Sequence, residues 1–357
     1  MKNITLAHGG GALETRELID AVFAKKLSNQ LLDRAEDAAV IEPAKLAVSI
    51  DSFVVKPIFF SGGDIGKLAV AGSCNDVAMM GAKPRYIAAS FILEEGLSFA
   101  ALETIVDSFA AELAVNGAIV ISADTKVVQK GAADGGLYIS TTALGEVVLG
   151  GLDVGAIAEG DLVLASGSCG DHGAAIFAAR EGIEIGGLKS DCASLWGLVA
   201  ALIEAKLPIV TMRDATRGGL AAICNEWAIA SRHSIELDQS AIAVKQEVQG
   251  ACELLGFEPY ALANEGMMAL VVRGRAAADE AVKIMRENPL GRGAGVIGRV
   301  LASSVSGGIS GGLAAVGSAA VGSATAGARS PRVTLKTPHG TTRLLEMPSG
   351  ELLPRIC

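Results

Sequence analysis

Aromatic side chains make up only 4% of the 357 residues, and positive charge is short: 30 Lys and Arg face 39 Asp and Glu, for a formal charge of −9. No Lys/Arg-rich run offsets that deficit, so the chain has no basic field for nucleic acid. Any phosphate it handles is met through metal ions and backbone N–H groups instead. Paired cysteines are missing too. Cys74, Cys169, Cys192, Cys224, Cys252 and Cys357 include no Cys-x-x-Cys pair, which removes zinc and iron–sulfur spacings. Met1 to Glu14 holds no apolar signal-peptide run, and a reduced, cytoplasmic protein is expected. The uncharged run from Val300 to Ala328 has the length of a membrane span, but its Gly, Ser and Ala are too small-sided to drive insertion. It reads as a flexible insertion over residues 302–330, with no membrane partner expected.

Glycine and small apolar residues are abundant. Half the chain is hydrophobic and 44 residues are Gly, which suits helices packed closely on sheets. The length is comfortable for two cores, and the pattern restarts near residue 150. The expected organisation is an N-terminal domain over 1–150, a C-terminal α/β domain over 151–347 and a tail over 348–357.

Polar residues interrupt the apolar text at intervals. His8-Gly9-Gly10-Gly11 precedes a helical pattern and can close its N–H groups around phosphate oxygens, or simply be a loose terminus. Asp37 enters a short apolar run. Asp51 sits in the strand-like Lys45–Val55 segment, where a carboxylate demands a metal, an Arg or hydrogen bonds. Gly63-Asp64-Ile65-Gly66-Lys67 opens a helix that carries Asn75 and Asp76 among Ala, Val and Met. Asp124, Thr125 and Lys126 stand at the end of a strand, the edge where α/β sites assemble. Four aspartates, Asp37, Asp51, Asp76 and Asp124, thus occupy element ends or apolar runs, a ligand type that suits Mg²⁺ bridging nucleotide phosphates.

In the second half, Gly167-Ser168-Cys169-Gly170-Asp171-His172-Gly173 reads as a tight turn into a helix and lacks a Walker ending. His172, His233 and His339 have no partners at ligand spacing, and an ordinary polar or surface role is expected for each. Arg213-Asp214-Ala215-Thr216-Arg217-Gly218-Gly219 is a charged entry to another helix. Asn264-Glu265-Gly266 precedes a strand; Glu265 is either a general base, if burial raises its pKa, or a turn carboxylate in water. The chain ends Pro354-Arg355-Ile356-Cys357, a lone thiol on a short arm with Gly350 as a pivot.

Together, the His8–Gly11 segment, Asp51–Val55, Gly62–Leu68, Asn75-Asp76, Asp124–Val128, Arg213-Asp214 with Thr216–Gly219, and the Pro-Arg-Ile-Cys ending resemble the HypE family of hydrogenase maturation proteins. These are carbamoyl dehydratases of the superfamily that includes aminoimidazole ribonucleotide synthetase and selenophosphate synthetase. The aspartate and glycine motifs are shared across the superfamily, whereas the ending is specific to HypE. The chain departs from the pattern at Ala123, where Gly is usual, at Ala215, where Pro is common, and in the 302–330 run.

The resemblance implies a two-domain α+β / α/β protein, a homodimer whose N-terminal mixed sheets join into a barrel, a C-terminal α/β sandwich domain and a flexible C-terminal tail. It implies ATP and Mg²⁺ at the shared cleft, with His8, Gly9, Gly10, Gly11, Gly63, Asp64, Lys67, Asn75, Thr125 and Arg217 toward the nucleotide. Asp37, Asp51, Asp76 and Asp124 would face the metal. It also implies the reaction. HypF loads a carbamoyl group onto Cys357, ATP drives its dehydration to a thiocyanate, and the cyano group passes to iron on a HypC–HypD complex. Lys126 and Glu265 are the expected catalytic side chains beside Cys357. Two alternatives stay open: a sister synthetase acting on a free small molecule, and a non-catalytic ATP-binding scaffold.

Overall fold

The computed structural model describes residues 13–24, 26, 29–34, 36–133, 135–302 and 330–349. The His8–Gly11 segment, most of the 302–330 run and Cys357 lie outside the described residues.

The first half is built on a five-stranded sheet, ordered β1 (Ala39–Ile41), β2 (Leu46–Phe53), β7 (Leu137–Val147), β5 (Ala82–Glu94) and β6 (Ile119–Val128), with β3 (Phe59–Phe60) and β4 (Gly63–Asp64) forming a separate two-stranded ribbon. Only β5 and β6 run parallel, because an amphipathic crossover helix, Phe99–Asn116, joins them. Ser98 starts that helix by accepting from the Ala101 N–H, and Gly117 ends it in the left-handed region at φ +64°. A helix over Ile65–Met79 lies against one face of the sheet. Gly145 on β7 makes that approach possible, since a Cβ there would stand 2.2 Å from Val77 Cγ1. The Ile65–Met79 helix is buried on nearly every side, because its far side enters the second half. There Ala78 and Met79 join Leu164, Leu195, Leu198, Met212, Met268 and Leu270 in one apolar cluster.

The second half carries a seven-stranded sheet, ordered β14 (Thr342–Leu344), β13 (Val333–Lys336), β10 (Ile235–Asp238), β12 (Gly295–Val300), β8 (Leu162–Ala165), β11 (Met268–Val272) and β9 (Ile209–Asp214). Its pairs are antiparallel except β10 with β13. β11 is buried at every position and reads as an unbroken apolar run for that reason. Helices Asp171–Glu181, Trp196–Glu204, Gly219–Ser231, Gln246–Leu255 and Arg275–Glu287 cover the sheet. Trp227, 2% exposed, is the largest side chain in the core beneath Gly219–Ser231. The expected mixed α/β fold with two sheet-based halves is what the chain adopts. Pro84 lies inside β5, where the pairing with β7 shifts register and its missing N–H is tolerated.

Candidate active site

The helix-facing side of the first sheet meets the end of β9 and the turn before β11, and carboxylates gather there. On β2, the residues facing the Ile65–Met79 helix include Ser49 and Asp51; Ser49 Oγ donates to Asp76 Oδ2 at 2.5 Å. Asp37, just before β1, accepts from Arg213 Nε at 2.7 Å, and the same guanidinium reaches Glu226 at 2.7 Å. Asp214 ends β9 and is 4% exposed; Glu265 is 2% exposed. Gly72 of the helix lies under the Phe53 ring, 2.8 Å from where a Cβ would stand, with Glu265 Oε2 next at 3.9 Å.

Burial raises the Asp76 carboxyl well above its ordinary value, and Asp214, Asp37 and Asp51 push it in the same direction. Asp214 rises for the same reasons, with Asp37 and Glu265 the nearest like charges and Arg213 opposing. Asp37 goes up to about 7, desolvation outweighing its Arg213 partner. Asp37 Oδ2 and Asp214 Oδ2 are buried with no hydrogen-bond partner. Like carboxylates crowded in a dry cleft hold protons unless a cation replaces them. Among the described residues no three side chains form a ready-made cation cage. The oxygen-only donor set and its two unused oxygens nevertheless fit Mg²⁺, which keeps waters and binds phosphate oxygens alongside one or two carboxylates.

The four aspartates expected as one set divide. Asp124 is in register with Ser90 of β5, Ser90 with Ser140 of β7, and Ser140 with Ser52 of β2. The Ser52 and Ser140 hydroxyls meet at 3.1 Å on the outer face, whereas Thr141 bonds Ser73 of the helix on the inner one. Asp124 and Lys126 therefore project from the face opposite Asp51 and Asp76. There they form an exposed ion pair at 2.7 Å, which holds the Asp124 carboxyl below its usual range. Thr125 is exposed on the same strand, and Arg217 is exposed at the entry to the Gly219–Ser231 helix.

Other expected nucleotide residues carry structural duties. Asp64 caps the Ile65–Met79 helix, accepting from the Gly66 and Lys67 N–H groups at 2.8 and 3.1 Å. Asn75 accepts from the Leu195 N–H at 2.7 Å and donates to Ala193 O, so its amide ties the two halves together. Lys67 Nζ lies 3.4 Å from Gly62 O, beside Gly63. Of the ordinary polar or surface role expected for His172, the structure shows the polar one: it is fully buried, its Nδ1 at 2.8 Å from Ser190 Oγ and its ring edge-on to Phe60. Desolvation lowers it to about 3, so it stays neutral. The residues sequence reasoning left without a role are Arg213, Asp214 and Asp191. The first two carried a detectable signal, a charged pair at a strand end before two glycines; Asp191, in an irregular segment, carried none.

Two family models match the chain: the AIR synthase related protein N-terminal domain over residues 35–147 and the C-terminal domain over 158–310. The carbamoyl dehydratase HypE of Azotobacter vinelandii is 41% identical over 360 residues, covering 99% of this chain and 97% of its own. The chain belongs to the HypE family of carbamoyl dehydratases. Solved HypE structures agree. One in a HypE–HypF complex superposes with a TM-score of 0.81 at 37% identity, covering 93% of this chain and 99% of that one. A HypE in complex with ATP gives 0.78 at 38% identity, covering 99% of this chain and all 100% of that one.

Proposed function

We infer that this HypE-family chain uses ATP to dehydrate a carbamoyl group carried on its own Cys357, converting the thiocarboxamide to a thiocyanate whose cyano group supplies [NiFe] hydrogenase maturation. The observation that carries the site is the buried carboxylate set of Asp37, Asp76 and Asp214 around Glu265, with two oxygens unpartnered. An amide oxygen is a poor leaving group. It attacks the γ-phosphate of ATP, ADP departs, and the resulting O-phosphorylated imidate loses its N–H proton as the C–O bond breaks. Phosphate leaves and the carbon–nitrogen bond closes to the nitrile. Glu265, buried beside the helix, is the proposed proton acceptor, and Lys126 the proposed holder of the transferring oxygen.

Asp37, Asp51, Asp76 and Asp214 would hold Mg²⁺, which when bound neutralises charge on the phosphates. The first-half glycine segments, with Lys67, would take the nucleotide. Asp124 and Lys126 reach such a site from a second copy rather than within one chain. Their strand β6 is an exposed sheet edge, with Ile119 60%, Ile121 55% and Val127 70% exposed, a surface that a homodimer would cover. HypF, which one solved HypE accompanies, is the proposed source of the carbamoyl group, and a HypC–HypD complex the proposed acceptor of the cyano group. No helix among the described residues is long and apolar enough to cross a membrane, and a cytoplasmic location suits these partners. A tail that carries its own substrate acts at high effective concentration.

Intact-protein mass spectrometry after incubation with the carbamoylating partner, carbamoyl phosphate and Mg-ATP tests the reading. A cyano adduct is expected on the wild-type chain and absent from Cys357→Ala. A carbamoyl adduct that ATP never converts would overturn the dehydratase reading. Full dehydration by Glu265→Gln or Lys126→Ala would remove the role given to that side chain.

A further inference from the structure

Segment 188–195 runs between the two halves and bonds Ser61, Asn75, Glu112 and the Asn264–Gly266 turn. Ser61 Oγ donates to Leu188 O, and the Ser190 N–H donates to Ser61 O at 2.8 Å, so the loop leading to Gly63 and Lys67 is pinned at one end. At the other end Asn75 bonds Ala193 and Leu195, and Glu112 accepts from the Ser194 N–H at 2.9 Å. Asp191 lies between these anchors. Its Oδ1 accepts from the Glu265 N–H at 3.0 Å, while Oδ2 accepts from Asn264 Nδ2 at 2.8 Å and from the Gly266 N–H at 3.1 Å. Asn264 is itself locked, receiving the Gly170 N–H at 2.8 Å and donating to Ser168 O. Gly266 cannot move aside or be replaced, because a Cβ there would sit 1.9 Å from Asp191 O.

We propose that Asp191 is a positioning residue for the dehydration. By holding the Asn264–Gly266 turn through three converging donors, it aims the Glu265 carboxylate at the cleft it shares with Asp214. Both carboxylate oxygens are engaged, so neither an amide nor a longer acid reproduces the clamp: an amide replaces one acceptor with a donor facing other donors. The arrangement differs from ordinary turn stabilisation in what it fixes. Glu265 sits at the centre of the clamped tripeptide, and a displacement of about an ångström at a reacting group costs on the order of 10²-fold in rate. Behind the clamp lies a cavity of about 470 Å³, lined by Gly167, Ser168, Asp171, Lys245 and Gly266 as well as Asp191 itself. A small carboxylate can therefore enter the space that a truncated Asp191 would leave.

The inference rests on Glu265 as proton acceptor. The test uses full-length, carbamoylated chain with Mg-ATP under single-turnover conditions. Asp191→Ala is expected to lower the maximal rate on the order of 10²-fold with the ATP half-saturation within about threefold of wild type. Sodium formate should recover at least about tenfold of that loss, where sodium chloride at equal ionic strength recovers none. In a Glu265→Gln background, Asp191→Ala should add no further loss, since both act on one step. If Asp191→Ala does not fold, Asp191→Asn is expected to slow the step about tenfold at unchanged ATP half-saturation. A maximal rate within twofold of wild type in the folded variant, or losses that multiply in the double variant, overturns the proposal while Glu265→Gln remains slowed to a measurable residual rate and its own role stands. A fully active Glu265→Gln removes the Glu265 reading and this inference with it.

Discussion

On the helix-facing side of the first sheet, Asp37, Asp76 and Asp214 share a dry cleft, two of their oxygens lack partners, and burial with mutual repulsion raises all three carboxyls. On the opposite side, Asp124 and Lys126 neutralise each other in water on an exposed edge strand. The same residue types, placed on two faces of one sheet, thus carry opposite deficits. The inner group crowds like carboxylates around a single Arg213, the group proposed above to take Mg²⁺. The outer group has balanced charge on an exposed edge strand, the surface proposed above to meet a second copy.

Removing charge from the inner group should have the largest effect. Asp76→Asn is expected to slow ATP-dependent dehydration by roughly 10³-fold, equivalent to the several kcal/mol that a metal-neutralised phosphate gains. Its thermal midpoint, measured at pH 8 without divalent cation, should stay level or rise, because a buried like charge has gone. A variant that lost stability and kept its rate would make the inner cluster structural. On the exposed edge strand, Ile121→Glu adds a charge to the same β6 segment that carries Asp124. Light scattering should then report a monomer, and the dehydration rate should fall roughly 10- to 100-fold as Asp124 and Lys126 leave the shared site. A fully active monomer would confine the chemistry to one chain.

The inner group also predicts a pH response. Carboxyls whose folded pKa is raised bind protons more tightly in the native state than in the unfolded chain, so their contribution to stability falls as pH rises from the unfolded value toward the folded one. For Asp37 that window runs from its ordinary 3.8 to about 7. Without divalent cation, stability should decline between pH 5 and pH 7 by about 1 kcal/mol per pH unit for each group titrating there. Mg²⁺ should flatten the decline by holding the carboxylates ionised. Denaturant melts at the two ends of the window, with and without Mg²⁺, check both parts; equal slopes would show that no cation binds there.

The sequence made the elements legible more readily than the faces they present. Asp51 and Asp76 announced themselves by interrupting apolar runs, and both reach the cleft. Asp124 gave the same signal at a strand end, but which face it occupies depends on register across β2, β7, β5 and β6, and a shift of a single residue reverses it. Local text does not carry that register. Asp214 sat in a quoted motif without a role, because its proximity to Asp37 and Glu265 joins segments far apart in the chain. Asp191 was invisible for the same reason, its partners being the Glu265 and Gly266 backbone N–H groups and the Asn264 side chain. His172 read as an ordinary polar or surface residue, and only tertiary packing against Phe60 and Ser190 decides for the buried polar role.

The smallest expected effect separates scaffold from site within the first half. Asp64 belongs by sequence to the glycine segment expected to meet nucleotide, yet its carboxylate is occupied with the first N–H groups of the Ile65–Met79 helix. Asp64→Ala should cost about 1 kcal/mol of stability, the usual worth of an N-cap, while Asp64→Asn, an equally good cap, should cost almost nothing. Because the capped helix carries Asp76, both variants should keep ATP affinity within about threefold in calorimetric titration if the cap is the whole role. An Asp64→Asn chain that is fully stable but binds ATP more than about tenfold more weakly would move Asp64 from the helix end into the nucleotide site. That result would also make the inner cleft larger than the Asp37, Asp76 and Asp214 group alone, since Asp64 would then contribute a negative charge that its own helix does not need.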